Sequence, residues 1–574
     1  MKPSVRPLAH FLLAVLVIVA VAPRTSHAYS VLSHEEVVDM AWQTTIVPML
    51  KHRFPGITDD QILQAHAYAY GGSIIQDIGY YPFGSHFFSN LLHYVRPDVF
   101  VENLIRDSKT PNDYAFALGA LAHYCGDTVG HPYINQVTAK ENPKLRSRFG
   151  KVVTYDENPT AHVRTEFGFD VVEVAHGHYS QQNYHDFIGF QVAKPLLEQA
   201  FLETYGVKVS DVITHEDLAI GTYRHAVSGL IPEMTKLAFV TYRDQIEKAA
   251  PGTAKSTFLY RLNRTEYAKE FGTDYTHVGF WGRFVAFVLR VVPKIGPFKA
   301  LKVSIPSPEE QDLYLKSVNA SVDQFKAYLG QIRASPAPLP PPDTKDVYAA
   351  QTAAAKLQSA AVKSTKQAAK TSDPDEKAAR ERAANNVAIA AQKATEAAQR
   401  TSAKVEEAQA TGVVPRAPGA LPPDAPIRPP VPPDLPDLDM DTGKPAHAGE
   451  YPLADQTYAE LLNDLVKPQA PMTLVKAVDE QDAKASKASD APLGSPAPKP
   501  IAPARLIEAA LAASIEHFFA HPEPERTPFS QKEEQKELKL VSQVKSNLEK
   551  LKAMTAPSAL TAAFGPVTQK AKGN

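Results

Sequence analysis

The sequence predicts an all-α fold, a multi-helix bundle, because helix-start signals recur along its front part and no run of alternating strand residues is found. At each start, a Ser, Thr or Asn precedes either an acidic or amide residue three positions later or a proline at the first helical position. The starts lie at Ser33, Thr58, Thr110 and Asn158. Gly71, Gly72 and Gly84 are expected to mark breaks between the helices.

Composition divides the 574-residue chain near residue 334. Of the 50 Phe, Tyr and Trp residues, 43 precede that point, whereas 30 of the 48 prolines follow it. Because a packed core needs large apolar side chains, we expect the main domain at residues 29–333. The Pro/Ala-rich extension behind it is predicted to be helical and partly disordered, with no chemical motif, and its partner is unknown. Its predicted parts are a Pro-rich linker (334–347), an Ala-rich helical region (348–412), a Pro-rich low-complexity linker (413–500) and terminal helices (501–574).

Charge and cysteine content exclude some classes of site. The formal net charge of −2 provides no overall basic field that would attract nucleic acid. The single cysteine, Cys125, excludes an intrachain disulfide and a cysteine-based zinc cage. We expect Cys125 to pack as a small apolar residue rather than to act as a thiolate ligand.

The first 28 residues have the pattern of a secretory signal peptide. Lys2 and Arg6 precede an apolar run at residues 11–22, and residues 26–28 (SHA) form a small-x-small cleavage site. The apolar run is short for a membrane anchor, which needs about 20 residues. The pattern therefore predicts a secreted or periplasmic protein, cleaved after Ala28 and without a transmembrane segment in its mature form.

The strongest chemical signal is a set of histidines and carboxylates spaced four residues apart. On a helix, His123, Asp127 and His131 would stay within a stripe about 80° wide. His162 and Glu166 repeat the spacing on the next predicted helix. Imidazole nitrogens and carboxylate oxygens at this spacing are suitable zinc ligands.

Other potential ligands lie near helix starts or glycine-broken segments, where binding residues are commonly presented. His34 is next to the first helix start, and Asp77 and His86 follow glycines. His176 and His178 are either an alternative ligand pair or ordinary loop residues. Each of these residues alone is more typical of an ordinary polar position. They support a metal site only together with the histidines and carboxylates spaced four residues apart.

These ordered motifs, over about residues 29–200, resemble the zinc-dependent phospholipase C family and its relatives, the fungal single-strand-specific zinc nucleases and the glycosylphosphatidylinositol-specific phospholipase D. The resemblance implies an all-α bundle with up to three zinc ions. It implies one site of Tyr29 (through its own amino group and carbonyl), His34 and Asp127, a second of Asp77, His86, His123 and a bridging Asp127, and a third of His131, His162 and Glu166.

Some departures from the family pattern leave the substrate open. Family members usually begin with Trp where this chain has Tyr29, which is tolerable because the ligating atoms belong to the main chain. The interval from Asp77 to His86 is shorter than in the soluble bacterial phospholipases. The spacing from Asp127 to His131 is also tighter and closer to the phospholipase D branch.

Clustered zinc ions suit phosphodiester hydrolysis, because they lower the pKa of bound water and neutralise charge on the phosphate. The resemblance implies Asp77 as the general base. We expect a secreted phospholipase C that acts on glycerophospholipids at a membrane surface. One alternative is a single-strand-specific zinc nuclease, with Tyr80, Tyr81 and Phe83 as stacking platforms. Another is a non-catalytic, zinc-stabilised secreted protein whose helical tail binds a partner.

A stretch of aromatic and basic residues is the candidate membrane-binding surface. Residues 280–302 contain five Lys and Arg residues and no acidic residue. Such a segment suits an anionic membrane surface, although a core helix with exposed arginines would show the same pattern. The candidate membrane-binding residues are Trp281, Arg283, Phe284, Phe287, Arg290 and Lys294.

Overall fold

The computed structural model describes residues 31–176, 189–253, 265, 270–271, 305–334, 430–449, 451–467, 504–520 and 531–555. Almost all regular structure in these ranges is helical, which confirms the all-α prediction. The predicted signal peptide, Tyr29, His178, the basic and aromatic stretch and the Ala-rich region lie outside the described residues.

The front part of the fold is a series of helices. They are α1 (Val31–Ala41), α2 (Val47–Arg53), α3 (Asp59–Ile74), α4 (His86–Tyr94), α5 (Pro97–Asp107), α6 (Pro111–Glu141), α7 (Pro143–Phe149) and α8 (Pro159–His176). Next come α9 (Lys194–Tyr205), α10 (Val209–Val212), α11 (Glu216–His225), α12 (Ile231–Ala249) and α13 (Pro308–Ala334). Short segments of other helix types occupy Trp42–Ile46, Ile75–Tyr80 and Ala226–Leu230.

The described C-terminal elements begin with a short antiparallel pair of strands. Leu438–Asp439 (β1) pairs with Lys444–Pro445 (β2). The helices α14 (Pro452–Leu465), α15 (Ala504–Ala520) and α16 (Gln531–Thr555) follow. The last two lie where the sequence predicts terminal helices.

Three of the four predicted helix starts cap the helices as expected. In each case the side-chain oxygen of the first residue accepts a hydrogen bond from a main-chain amide three residues later. The pairs are Thr58 and Gln61 (3.2 Å), Thr110 and Asp113 (3.1 Å), and Asn158 and Ala161 (2.9 Å). Ser33 differs, because it lies inside α1 and its hydroxyl bonds the side chains of Asp170 and Tyr314. The Ser33 pattern therefore reflects a tertiary contact and not a helix cap.

The long helix α6 packs most closely on α3, and glycines make this contact possible. A Cβ on Gly72 would lie 1.9 Å from the Phe116 carbonyl oxygen, and one on Gly119 would lie 2.0 Å from that of Ala69. Gly71 and Gly72 therefore do not break the chain between helices, as the sequence suggested, but lie within α3. The lack of a side chain at Gly72 and Gly119 lets the two helix backbones touch, and Gly71 lies against the Gln191 carbonyl.

The chain forms two compact units, one of Met1–Arg333 with Pro426–Asn574 and the other of Ala334–Ala425. The segment predicted as part of the linker at 413–500 is thus folded onto the front domain between residues 430 and 467. The Met440 amide donates to the His93 carbonyl (3.2 Å), and the Tyr124 hydroxyl donates to the Pro436 carbonyl. Buried apolar residues of α14, including Tyr458, Leu461 and Leu462, explain why a segment between Pro-rich stretches is ordered.

No helix within the described ranges is long and apolar enough to cross a bilayer.

Candidate metal centre

The centre is organised around α6, which presents His123, Asp127 and His131 on one stripe, as their spacing predicts. All three side chains are buried. The α6 stripe meets α1, the turn after α3, α4 and α8, which together supply the remaining polar groups. Three sets of side chains lie close enough to hold a metal ion: His34, His123 and Asp127; Asp77, His93 and His123; and His131, His162 and Glu166.

The first two sets share His123 and form one continuous group, which we call the Asp127 cluster (His34, Asp77, His93, His123 and Asp127). Oδ1 of Asp127 lies 3.4 Å from Nε2 of His34, and its Oδ2 lies 3.3 Å from Nε2 of His93 and 3.1 Å from Nε2 of His123. Asp77 Oδ1 lies 3.4 Å from the same nitrogen of His93. The Asp127 carboxylate therefore joins histidines from three helices.

His93 occupies the place in this cluster that the sequence assigned to His86. The two residues lie on α4, seven positions and about 10 Å apart along its axis. His86, at the first turn, is exposed and does not belong to any of the three sets, whereas His93 is fully buried near the far end. The assignment of His86 is corrected to His93. The signal in the sequence that could have identified His93 is its position on the apolar face of α4.

The third set, which we call the His131 cluster (His131, His162 and Glu166), lies at the other end of the stripe. Nε2 of His131 is 3.4 Å from Asp127 Oδ1 and 3.5 Å from Glu166 Oε1. Nε2 of His162 is 2.8 Å from the same Glu166 oxygen. Both oxygens of Asp127 thus face histidines, and Oδ1 links the two clusters.

Main-chain carbonyls fix the proton positions of three histidines. Nδ1 of His93 lies 2.7 Å from the Ser89 carbonyl, Nδ1 of His123 lies 2.8 Å from that of Ser73, and Nδ1 of His131 lies 3.1 Å from that of Met440. Because a carbonyl only accepts hydrogen bonds, each Nδ1 carries a proton. The Nε2 of each ring consequently faces the cluster and is the nitrogen available to bind a metal.

The donor set fits zinc. Neither oxygen of Asp127 nor of Glu166 receives a hydrogen bond of good geometry from the described residues, although an unpaired buried carboxylate is costly. With bonds of about 2.1 Å, the donor atoms of a tetrahedral zinc lie about 3.4 Å apart. Most of the nitrogen–oxygen separations in the centre are close to that value. Such distances are long for hydrogen bonds but suited to two ligands of one ion.

Electrostatics distinguish the two aspartates. Burial opposes ionisation of Asp127, but His131, His123 and His34 outweigh it and hold the pKa of this carboxyl well below its usual range. The pKa of Asp77 is instead raised by burial. Asp127 is therefore the permanent anion at the centre, whereas Asp77 has the greater tendency to take up a proton.

Burial and neighbouring charge also separate the histidines of the second cluster. Burial lowers the pKa of His162 to about 3, and the neighbouring His131 acts in the same direction. Burial would likewise lower the pKa of His131, but the carboxylates of Asp127 and Asp441 outweigh it and raise the pKa to about 10. His162 is consequently neutral, the form in which imidazole ligates a metal.

Comparison with known families is consistent with this geometry. Residues 33–225 match the model of the zinc-dependent phospholipase C family. This part of the chain belongs to the zinc-dependent phospholipase C family. No curated protein and no solved structure matches the chain significantly. The matched residues include all members of the Asp127 and His131 clusters, so the phospholipase C-type domain is a zinc-dependent, phosphodiesterase-like hydrolase domain.

The other sequence-derived candidates that fall within the described residues do not belong to the three metal-binding sets. Cys125 is fully buried in the core, as expected, and is not in any of these sets. His176 ends α8 and contacts the Gln311 side chain (3.0 Å). Of the three aromatics near the site, Tyr80 is buried with its ring 5.9 Å from that of His93, Tyr81 packs on Tyr223, and Phe83 is exposed.

Sequence reasoning missed Asp441, which lies at the phospholipase C-type centre although it is far beyond the matched residues. Its Oδ1 lies 3.1 Å from Nδ1 of His131, on the side of the ring opposite the cluster. No spacing rule relates Asp441 to α6, because the contact arises only when the chain returns to the front domain. The prediction that residues 334–574 lack chemically relevant groups is corrected at this position.

Proposed function

We propose that the domain is a phospholipase C that hydrolyses glycerophospholipids at a membrane surface and releases diacylglycerol. The observation that carries the proposal is the single Asp127 carboxylate shared by histidines of both clusters. One closed structural zinc uses four ligands, whereas eight buried donors meet here. An extended set of this kind suits a site that must balance the charge of a phosphodiester and its leaving oxygen.

In this proposal, bound zinc supplies an activated water and neutralises phosphate charge. His34, His93, His123, His131 and His162 would hold it together with Asp77, Asp127 and Glu166. The three histidines anchored through Nδ1 contribute rigidity, because their rings are fixed before any ligand binds.

Asp77 is the proposed general base. It lies on the short 3₁₀-helix after α3 beside His93, and its raised pKa makes it a better proton acceptor than an exposed aspartate. We expect Asp77→Asn to lower kcat by about 10²–10⁴-fold, the usual contribution of such a group. Zinc is counted in the same preparation. A variant with full kcat and full metal content would exclude this role.

The substrate is tested with vesicles and with nucleic acid. The zinc-loaded protein is offered phosphatidylcholine vesicles, phosphatidylinositol vesicles and single-stranded DNA, each with and without a chelator. We expect diacylglycerol release that stops with chelator and returns with added zinc. Cleavage of DNA without lipid hydrolysis would instead identify a nuclease, and no turnover by fully loaded protein would identify a structural role for the metal.

Export and processing form a second part of the proposal. Cleavage after Ala28 would give Tyr29 a free amino group, and the first described helix places His34 only five residues further on. We expect N-terminal sequencing of the exported protein to begin at Tyr29. A form that keeps residues before Tyr29 should bind less zinc than the processed form. Equal metal content in both forms would contradict a role for the terminus.

A further inference from the structure

The segment Asp439–Gly443 lies on α6 at the point where that helix presents His131. Helix α6 contains Pro132, which has no amide hydrogen, so the Thr128 carbonyl lacks the usual helical donor four residues later. Gly443 lies directly against this carbonyl, and a Cβ on it would come within 2.2 Å of the Thr128 oxygen. The segment is therefore fitted to the backbone of α6 beside His131.

Asp441 is held in place by groups from four parts of the fold. Its Oδ2 accepts hydrogen bonds from the hydroxyls of Tyr94 (2.8 Å) and Tyr451. Its main-chain carbonyl accepts one from the side-chain amide of Asn135 (2.8 Å). Its amide donates to Asp439 Oδ1 (2.9 Å). The carboxylate is buried, and its other oxygen is directed at Nδ1 of His131.

We infer that Asp441 is a positioning residue of the metal centre, which fixes the ring of His131 and directs Nε2 of that ring toward Asp127 and Glu166. A carboxylate behind a ligating histidine selects the Nδ1–H form and increases the electron-donating power of Nε2. The Met440 carbonyl shares the same proton at 3.1 Å. The hydrolase domain is accordingly incomplete without residues 439–451, which follow the matched family residues in the chain.

The test is zinc affinity and stoichiometry in the full-length protein, without substrate. Zinc-loaded protein is titrated with a chelator of known affinity, and zinc per chain is measured by elemental analysis. We expect Asp441→Asn to weaken one class of bound zinc by about 10–100-fold. The matched control is Asp434→Asn, which lies shortly before this segment and is exposed, and it should leave the titration unchanged.

A double-mutant cycle separates positioning from general stabilisation of the fold. If Asp441 acts through His131, then Asp441→Asn should have little further effect on zinc in a His131→Ala background. Asp441→Asn should lower the melting temperature of the metal-free protein by less than zinc raises the melting temperature of the unaltered protein. An equal loss of zinc affinity in both backgrounds, or unchanged affinity in the single variant, would overturn the inference.

A second variant keeps the inference testable if Asp441→Asn does not fold. Tyr451→Phe removes one hydroxyl from Asp441 Oδ2 and retains the packing of the ring against Tyr94. We expect a smaller loss of affinity for the same zinc, and no loss would contradict the inference. Because zinc is counted without substrate, failure here is distinguishable from failure of the proposed phospholipase activity.

Discussion

The two clusters of the metal centre are supported in different ways. In the Asp127 cluster, the Ser89 and Ser73 carbonyls that orient His93 and His123 belong to α4 and α3 of the same front domain. In the His131 cluster, the carbonyl that orients His131 belongs to Met440, 309 residues further along the chain. The rings of His93 and His123 are thus oriented by neighbouring helices, whereas the ring of His131 is oriented by a distant segment.

This difference shows how separable the two clusters are. The Asp127 cluster is formed within the residues that match the family, so its geometry follows from the packing of α1, α3, α4 and α6. The His131 cluster adds a long-range contact whose formation closes a very large loop, and that closure has an entropic cost. Residues 439–451 also bond α4 through the His93 carbonyl and the Tyr94 hydroxyl, but the ring that they orient is that of His131. Changes to these residues should therefore affect the His131 cluster more than the Asp127 cluster.

The largest expected effect comes from the residue that the clusters share. Asp127→Asn removes the one carboxylate of the described residues that faces both sets of histidines, and it leaves four buried imidazoles without their central anion. We expect loss of zinc from both clusters and no measurable turnover. Zinc per chain and hydrolysis rate are measured beside Asp60→Asn, an exposed control on α3. Retention of full activity would refute the role of Asp127.

A smaller, one-sided effect is expected at α4. His93→Ala should remove zinc from the Asp127 cluster only, because His93 contacts Asp77 and Asp127 but does not belong to the His131 set. His86→Ala is the matched control on the same helix, and this variant should keep the zinc content of the unaltered protein. If His86→Ala loses zinc and His93→Ala does not, the assignment made from the sequence was right and the structural one is wrong.

The helices and the α6 ligands could be predicted because their signals are local. The capping groups of Thr58 and Thr110 act within one turn, and the spacing of His123, Asp127 and His131 fixes a common face whatever the tertiary structure. The choice between His86 and His93 is different, since both lie on the same helix and only burial against α6 separates them. Local pattern is sufficient for the first kind of residue but not for the second.

Asp441 was beyond sequence reasoning for a further reason. Its neighbours in the chain are prolines and aspartates, a composition typical of an extended linker, and its contact with His131 requires tertiary structure. Pro132 and Gly443 each carry a recognisable local meaning, but nothing in their positions indicates that one lies on the other. Such pairing is visible only in the folded chain.

An intermediate effect, confined to the His131 cluster, is expected for Gly443→Ala. The new methyl group would meet the Thr128 carbonyl, and the backbone at Gly443 has φ of +67°, which disfavours side chains. We expect weaker binding of one zinc and a lower melting temperature. Gly56→Ala has a similar φ of +87° but open space around it, so it controls for backbone strain alone. If the two variants bind zinc with equal affinity, then the His131 cluster does not require the contact between Gly443 and α6.

The smallest expected effect is a pH dependence of stability that arises from the docked segment. Burial, together with the charge of Asp441, raises the pKa of Asp439 from 3.8 to about 8. Between these values the folded chain holds a proton that the unfolded chain has released, so stability falls as pH rises toward 8 and levels off above it. The slope from this one group is at most about 1.4 kcal/mol per pH unit.

Asp439→Asn should remove this contribution, because an amide does not titrate in this range. Denaturant unfolding is measured with chelator present at pH 5 and pH 9, for the variant and the unaltered protein. We expect the variant to lose less stability between the two pH values. Identical losses would mean that Asp439 is ionised throughout. In that case the segment Asp439–Gly443 tolerates a charge on both Asp439 and Asp441. Proton uptake at Asp439 would then not contribute to holding Asp441 behind His131.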